Sequence, residues 1–215
     1  MLKKPLYAIA VFCLLVGLQA CAPLLVGGAF MGGTLVASDR RTVGAQTEDQ
    51  GIEFKSLNAL PDALNRRGNV SATSYNRQVL LTGEVPSEAD KALAETTVAA
   101  ITNVRGVVNE LSIQGAASIT SRGNDSFITA KIKASFVDAK DVFANSYKVV
   151  TERGVVYLMG IVTEREATRG AEIASRVPGV LRVVKVFESV TEAELKAMAL
   201  DPTNAKPAQP RPTNN

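Results

Sequence analysis

Few side chains in this sequence can do covalent or acid–base chemistry. The 215 residues include two cysteines, Cys13 and Cys21, and no histidine. Without histidine the commonest general base and the commonest metal ligand are missing, as is every Ser-His or Cys-His pair. Carboxylates remain, and one dense group is Glu164-Arg165-Glu166. With Thr163 three residues before Glu166, these acids read as the first turn of a helix, where a capping box and the helix dipole account for them. No glycine-rich phosphate loop with its lysine is present. The expectation is a non-enzymatic protein that needs no metal and no cofactor.

The cysteines lead to the N-terminus. Lys3 and Lys4 precede an uncharged apolar run over residues 6–18, which is shorter than the roughly 20 residues a membrane-spanning helix needs and so reads as a signal peptide, residues 1–20. The run ends in Leu18-Gln19-Ala20-Cys21, apolar at minus three and small at minus one, and this resembles the lipobox of bacterial lipoproteins. The resemblance implies cleavage before Cys21 and lipidation of its thiol and new amine, with the acyl chains anchoring the protein. Residue 22 is alanine rather than the aspartate that resembles an inner-membrane retention signal, so the expected address is the outer membrane, facing the periplasm. Removal of the signal also takes Cys13 away, leaving no thiol for a disulfide. Two of the 24 basic residues leave with it, so 22 bases face 21 acids. That balance does not favour a nucleic-acid partner, which needs a dense basic patch.

The elements that must carry any site show an internal repeat. Residues 79–83, Val-Leu-Leu-Thr-Gly, match 156–160, Val-Tyr-Leu-Met-Gly, at an offset of 77, and 104–108 match 177–181 at 73. The smaller offset implies four extra residues in the first copy, about one helical turn. Between the blocks, Ala94, Thr97, Val98, Ile101 and Val104 make a helical stripe, matched by Ala167, Gly170, Ala171, Ala174 and Val177. Residues 69–75 with 78–84, and 148–152 with 155–161, read as hairpins, and strands over 107–113 and 180–188 follow the helices. Leading helices are expected over roughly 51–65, bent or broken near Pro61, and 125–137. The first of these, with Ile52, Phe54, Leu57, Leu60 and Leu64, is assigned to packing and domain contact.

This order, helix-strand-strand-helix-strand, with a glycine after the second strand (Gly83, Gly160) and before the last (Gly106, Gly179), resembles the BON domain family. The fold class is therefore α+β: two tandem BON domains, each with a three-stranded mixed sheet packed on two helices. With the lipobox, the chain resembles the dual-BON outer-membrane lipoproteins. The division is 1–20 signal peptide, 21–48 lipidated tether, 49–115 first BON domain, 116–124 linker, 125–190 second BON domain, and 191–215 a C-terminal helix and disordered proline-rich tail. Residues 22–37, small and apolar with two glycine pairs, read as a tether near the membrane rather than a glycine-spaced packing helix. The resemblance implies binding of anionic phospholipid through the second BON domain, support of envelope integrity, and a link to the outer-membrane barrel-assembly machinery. The matching positions for lipid contact are Phe127, Lys131, Ile132, Lys133 and Phe136.

On a helical wheel Ile128, Ile132, Phe136 and Ala139 share the natural core arc, and Phe127 lies about 100° away beside Lys131. An aromatic at the edge of the apolar stripe with a cation next to it fits an interface between acyl chains and acidic headgroups. It equally fits a cap on the core or a contact with the other domain. Joint exposure of Phe127 and Lys131 favours lipid; coverage by the other domain favours a non-catalytic protein-interaction adaptor.

Overall fold

The structure is a computed structural model that describes residues 39–115 and 118–200. The expected signal peptide, the expected lipidation site Cys21, most of the expected tether and the expected proline-rich tail lie outside those residues. The first unit runs α1 (Val43–Ala63), β1 (Asn69–Tyr75), β2 (Gln78–Val85), α2 (Glu88–Ala99), β3 (Gly106–Asn109) and β4 (Ser112–Ile113). The second runs α3 (Ile119–Asp138), a 3-10 turn (Ala144–Ser146), β5 (Lys148–Glu152), β6 (Val155–Val162), α4 (Glu164–Ser175) and β7 (Arg182–Ser189), followed by α5 (Glu192–Leu200).

Both hairpins are antiparallel, and in both sheets the strand after the helix returns parallel to the central strand. In the first sheet that last strand is interrupted. Leu81 pairs with Asn109 and Glu84 with Ser112, so the register resumes without a slip across Glu110 and Leu111. The Leu111 amide donates to Asn109 Oδ1 at the break, and its side chain is buried in the core.

The central strands explain why their sequences are apolar almost throughout. With a side-chain period of two, Val79, Leu81 and Val85 of β2 enter the core beneath α1 and α2, and Val156, Leu158 and Val162 of β6 enter the core beneath α3 and α4. The alternate residues, Leu80 from β2 and Tyr157, Met159 and Ile161 from β6, meet with Tyr75 in a third apolar cluster shared by the two sheets. Met198 of α5 packs against it. Ion pairs surround this cluster: Lys148–Glu53 at 2.7 Å, Arg153–Glu84 at 2.8 Å and Arg182–Glu110 at 3.3 Å.

Both leading helices begin earlier than the sequence reading placed them. Thr42 Oγ1 accepts from the Ala45 amide and Ser118 Oγ from the Ser121 amide, so α1 starts at Val43 and α3 at Ile119. Residues 43–48, expected in the tether, and 119–124, expected in the linker, are helical. Pro61 does not break α1: it lies in the last turn, and its carbonyl accepts from the Arg66 amide at 2.8 Å.

The inferred four-residue insertion is not there. α2 and α4 each have 12 residues, and caps Ser87 and Thr163 are 76 apart. Val79 pairs with Val107 and Val156 with Val183, which keeps the last strands 76 apart as well. The two Val-x-Gly-Val stretches are therefore not structural equivalents. Gly179, with φ +102°, answers to Asn103, with φ +72°, and not to Gly106. The sequence match followed glycine, whereas the fold requires a left-handed residue, and asparagine also supplies one. One residue, between Val85 and Ser87, separates the offsets of 77 and 76; the first unit has Pro86 there.

Candidate functional site

Asp125, buried in the second turn of α3, accepts the amides of Arg153 and Gly154 at 2.8 Å each. That bond pair fixes the tip of the β5–β6 hairpin against the helix. Asp49 of α1 does the same for Asn76 and Arg77, at 2.7 Å each. Neither aspartate was singled out from the sequence, because a lone acid on a helix carries no mark of a turn 28 residues away.

On the helix so positioned, Phe127 is 61% exposed, and Lys131 Nζ stands 4.3 Å from its ring centroid. Beside it is Leu181, 79% exposed, packed where the hairpin turns at Gly154, whose φ is +75°. A Cβ at 154 would come within 3.0 Å of Leu181 Cγ, so glycine is what allows the leucine to sit there. Phe127, Lys131, Gly154 and Leu181 line one shallow groove of about 440 Å³, all of whose walls come from the second unit. Arg153 also reaches it, with its guanidinium tied to Glu84 and to the Gly115 carbonyl. Next to this groove Lys131, Arg169 and Arg176 line another of about 450 Å³. The arrangement presents two large apolar side chains with the Lys131 ammonium beside them, while Arg153 is paired with Glu84 and Arg169 with Asp141 and Glu172. An aromatic with a cation next to it suits an apolar–anionic boundary.

The other expected contacts separate. Ile132 and Phe136 are at most 1% exposed and belong to the core, where the Phe136 ring lies 4.7 Å from that of Tyr147. They hold α3 on its sheet and do not face the groove. Lys133 is exposed but lines a different crevice, of about 410 Å³, with Arg41, Tyr75 and Lys148. Cys21 is outside the described residues. Leu181 was missed because it had been matched to Val108, a partly buried strand residue; its structural equivalent is Arg105.

In the first unit Ile52, Leu60 and Leu64 are core residues, as expected, whereas Phe54 and Leu57 are 67% and 69% exposed. Two of the five apolar residues assigned to packing therefore face solvent.

The acidic group at 164–166 does structural work. Thr163 Oγ1 and the Glu166 carboxylate exchange bonds with each other's backbone amides in a capping box. Burial pushes the Glu166 carboxyl up, but hydrogen bonds from the Arg40 guanidinium and the Thr163 amide outweigh it and hold its pKa below the usual value. Gly170 of α4 lies against Tyr147, where a Cβ would meet the ring at 2.6 Å, so α4 can pack this closely only with a glycine there. Among the described residues no group of three or more Cys, His, Asp or Glu could hold a metal ion, and no helix is long and apolar enough to cross a membrane.

The sequence matches the BON domain family twice, over residues 48–115 and 124–191. It is 40% identical over 174 residues to the outer membrane lipoprotein DolP of Haemophilus influenzae, covering 80% of this chain and 89% of that one. A 21 kDa hemolysin of Actinobacillus pleuropneumoniae is 32% identical, over 71% of this chain and 79% of its own. The osmotically-inducible protein Y of Escherichia coli is 30% identical, over 70% and 77%. With two matched domains, two repeated α+β units in the structure and this similarity across most of its length, the chain belongs to the BON domain family, as a dual-BON, DolP-like outer-membrane lipoprotein.

Proposed function

We propose that the second BON domain docks on anionic phospholipid at the periplasm-facing leaflet of the outer membrane, and that this contact supports envelope integrity. The reading rests on one observation: Phe127 is 61% exposed with the Lys131 ammonium 4.3 Å from its ring, and no residue of the first domain lines their groove. Burying an apolar side chain of this size contributes about 1.5–3 kcal/mol, and a cation near an anionic surface about 1 kcal/mol. Such a site is weak by itself. A lipid anchor on Cys21 raises the effective concentration of headgroups and makes weak contacts sufficient to select membrane regions.

Co-sedimentation with neutral and anionic vesicles tests this. Wild-type protein pellets with anionic vesicles, and Phe127→Ala, Leu181→Ala and Lys131→Glu each lower the bound fraction while remaining folded by circular dichroism. Equal pelleting with neutral vesicles, or no loss in any variant, sinks the reading.

A second reading, a non-catalytic adaptor for the barrel-assembly machinery, is favoured by the exposed Phe54 and Leu57 on α1. Paired exposed apolar residues are what a protein partner covers. Site-specific photocrosslinking from Phe54 and Leu57 in cells tests it: adducts with an assembly component support the adaptor, and their absence removes it.

A further inference from the structure

Each unit buries a carboxylate at the third residue of its second helix: Asp90 in α2, 3% exposed, and Glu166 in α4, 1% exposed. A buried carboxylate needs a cation or several donors. In the first unit the cation is local, since Arg67, just before β1, places Nη2 2.8 Å from Asp90. The equivalent position in the second unit, 77 residues on, is Ala144. Glu166 is served instead by Arg40, from before the first domain: Nη2 to Oε1 at 2.7 Å and Nη1 to Oε2 at 2.8 Å. Arg40 Nη1 also donates to the Ile161 carbonyl at 2.7 Å, and its guanidinium lies 5.8 Å from the Phe143 ring centroid.

The next residue turns to the other domain. Arg41 pairs with Asp49 at 2.8 Å and lies 4.1 Å from the Tyr75 ring centroid. Its Nη2 also pairs with Asp39. Two adjacent side chains, 10% and 12% exposed, are thus seated in two different domains.

We infer that Glu166, the Ile161 carbonyl and Phe143 form a guanidinium-binding site on the second domain, filled in cis by Arg40. Through it residues 39–41 clasp both domains at the point where the tether meets the folded protein. The planar fork matters, because the site offers two carboxylate oxygens and a carbonyl, a set that one guanidinium satisfies together and an ammonium does not. The clasp gives the lipid tether a fixed point of attachment to the domain pair as a whole, in place of a hinge on the first domain alone.

Amide hydrogen exchange on the folded chain tests this with Arg40→Ala, Arg40→Lys and Arg67→Ala. Arg40→Ala is expected to speed exchange at Thr163 and Glu166 by about a hundredfold to a few thousandfold, the scale set by a buried ion pair that loses one partner. Exchange at Leu80 and Met159, where the sheets meet, rises with it. Arg67→Ala speeds exchange at Asp90 and leaves Met159 unchanged. Adding methylguanidinium to Arg40→Ala restores protection at Thr163, and methylammonium at the same concentration does not. If Arg40→Ala fails to fold, Arg40→Lys carries the same readings with a smaller loss. Unchanged exchange at Thr163 in either Arg40 variant, equal rescue by both cations, or a rise at Met159 in Arg67→Ala that matches Arg40→Ala overturns the proposal.

Discussion

The two BON units of this chain agree in the places that set the backbone and disagree in the places that face outward. Thr42 and Ser118 start equivalent helices, Asp49 and Asp125 hold equivalent hairpin tips, and Gly83 and Gly160 lie under equivalent carbonyls. At the surface, Gly51 stands where the second unit has Phe127, and Arg105 where it has Leu181; deeper in, Arg67, the partner of buried Asp90, stands where it has Ala144. Turn-fixing contacts have no cheap substitutes, since each satisfies buried backbone groups. Exposed side chains carry little stability, so Phe127 and Leu181 can stand on the second unit where the first has Gly51 and Arg105.

The shared glycines give the sharpest test of the common frame. A Cβ at 83 would lie 2.0 Å from the Asn69 backbone carbonyl oxygen and one at 160 would lie 2.2 Å from that of Ser146. Gly83 also has φ +111°. Gly83→Ala and Gly160→Ala are each expected to cost about 4 kcal/mol or more in urea unfolding, among the largest single-residue effects. A loss under about 1 kcal/mol at either site, against that scale for a steric clash in a packed region, breaks the equivalence.

The aspartates should differ by degree. Asp49→Ala strands two amides and the Ser74 hydroxyl and leaves Arg41 with Asp39 alone, and is expected to cost about 3–5 kcal/mol. Asp125→Ala strands two amides and is expected to cost about 1–3 kcal/mol. Equal losses in chemical denaturation would mean that Arg41 adds nothing at Asp49.

Acid should weaken both units. Burial pushes the Asp49 carboxyl up, yet bonds from Ser74, the Arg77 and Asn76 amides and Arg41 prevail and lower its pKa; Glu166 is lowered likewise. A depressed folded pKa contributes stability that is present above the unfolded value, near 4, and lost as pH falls through the folded value. Glu152 runs the other way, raised by burial and by Glu84 and Asp125 nearby, and relieves strain on acidification. Urea midpoints measured from pH 7 to pH 3 should fall, and Asp49→Asn should flatten the curve. A curve unchanged in that variant shows that Asp49 does not set it.

The smallest effects on stability belong to the divergent surface. Phe127→Ala and Leu181→Ala should stay within about 0.5 kcal/mol of wild type. Gly51→Phe, at a position with open space around it and four residues before Lys55, should give the first unit a copy of the pair and raise binding to anionic vesicles. No gain in co-sedimentation would show that the helix pair is insufficient without Leu181.

Much of this frame was legible in the sequence. The hairpins, the Thr163–Glu166 box and the placing of Phe127 beside Lys131 at the edge of the apolar stripe follow from local spacing, because local spacing is what produces them; whether Phe127 is exposed or covered did not. What was not legible depends on partners far along the chain. Arg40 meets Glu166 across 126 residues, and nothing near either residue announces it. The helix starts at Thr42 and Ser118 were hidden by glycines and polar residues in the first turns, where capping rather than apolar periodicity decides. Matching Gly106 to Gly179 misplaced Leu181, since identity of residue type stood in for identity of backbone conformation. Ile132 and Phe136 could be placed in the core from the wheel, against the lipid role implied by resemblance.

The apolar seam between the sheets also governs the order in which the chain can mature. When the first unit is complete, Tyr75 and Leu80 still lack the strands that cover them, because Tyr157, Met159 and Ile161 lie about 80 residues later. During export from the N-terminus there is consequently an interval in which a finished-looking half exposes a greasy sheet face. Closure of that face and docking of Arg40 on Glu166 both await the last third of the polypeptide. An incomplete chain with an uncovered apolar sheet face is at its most prone to aggregation in that interval.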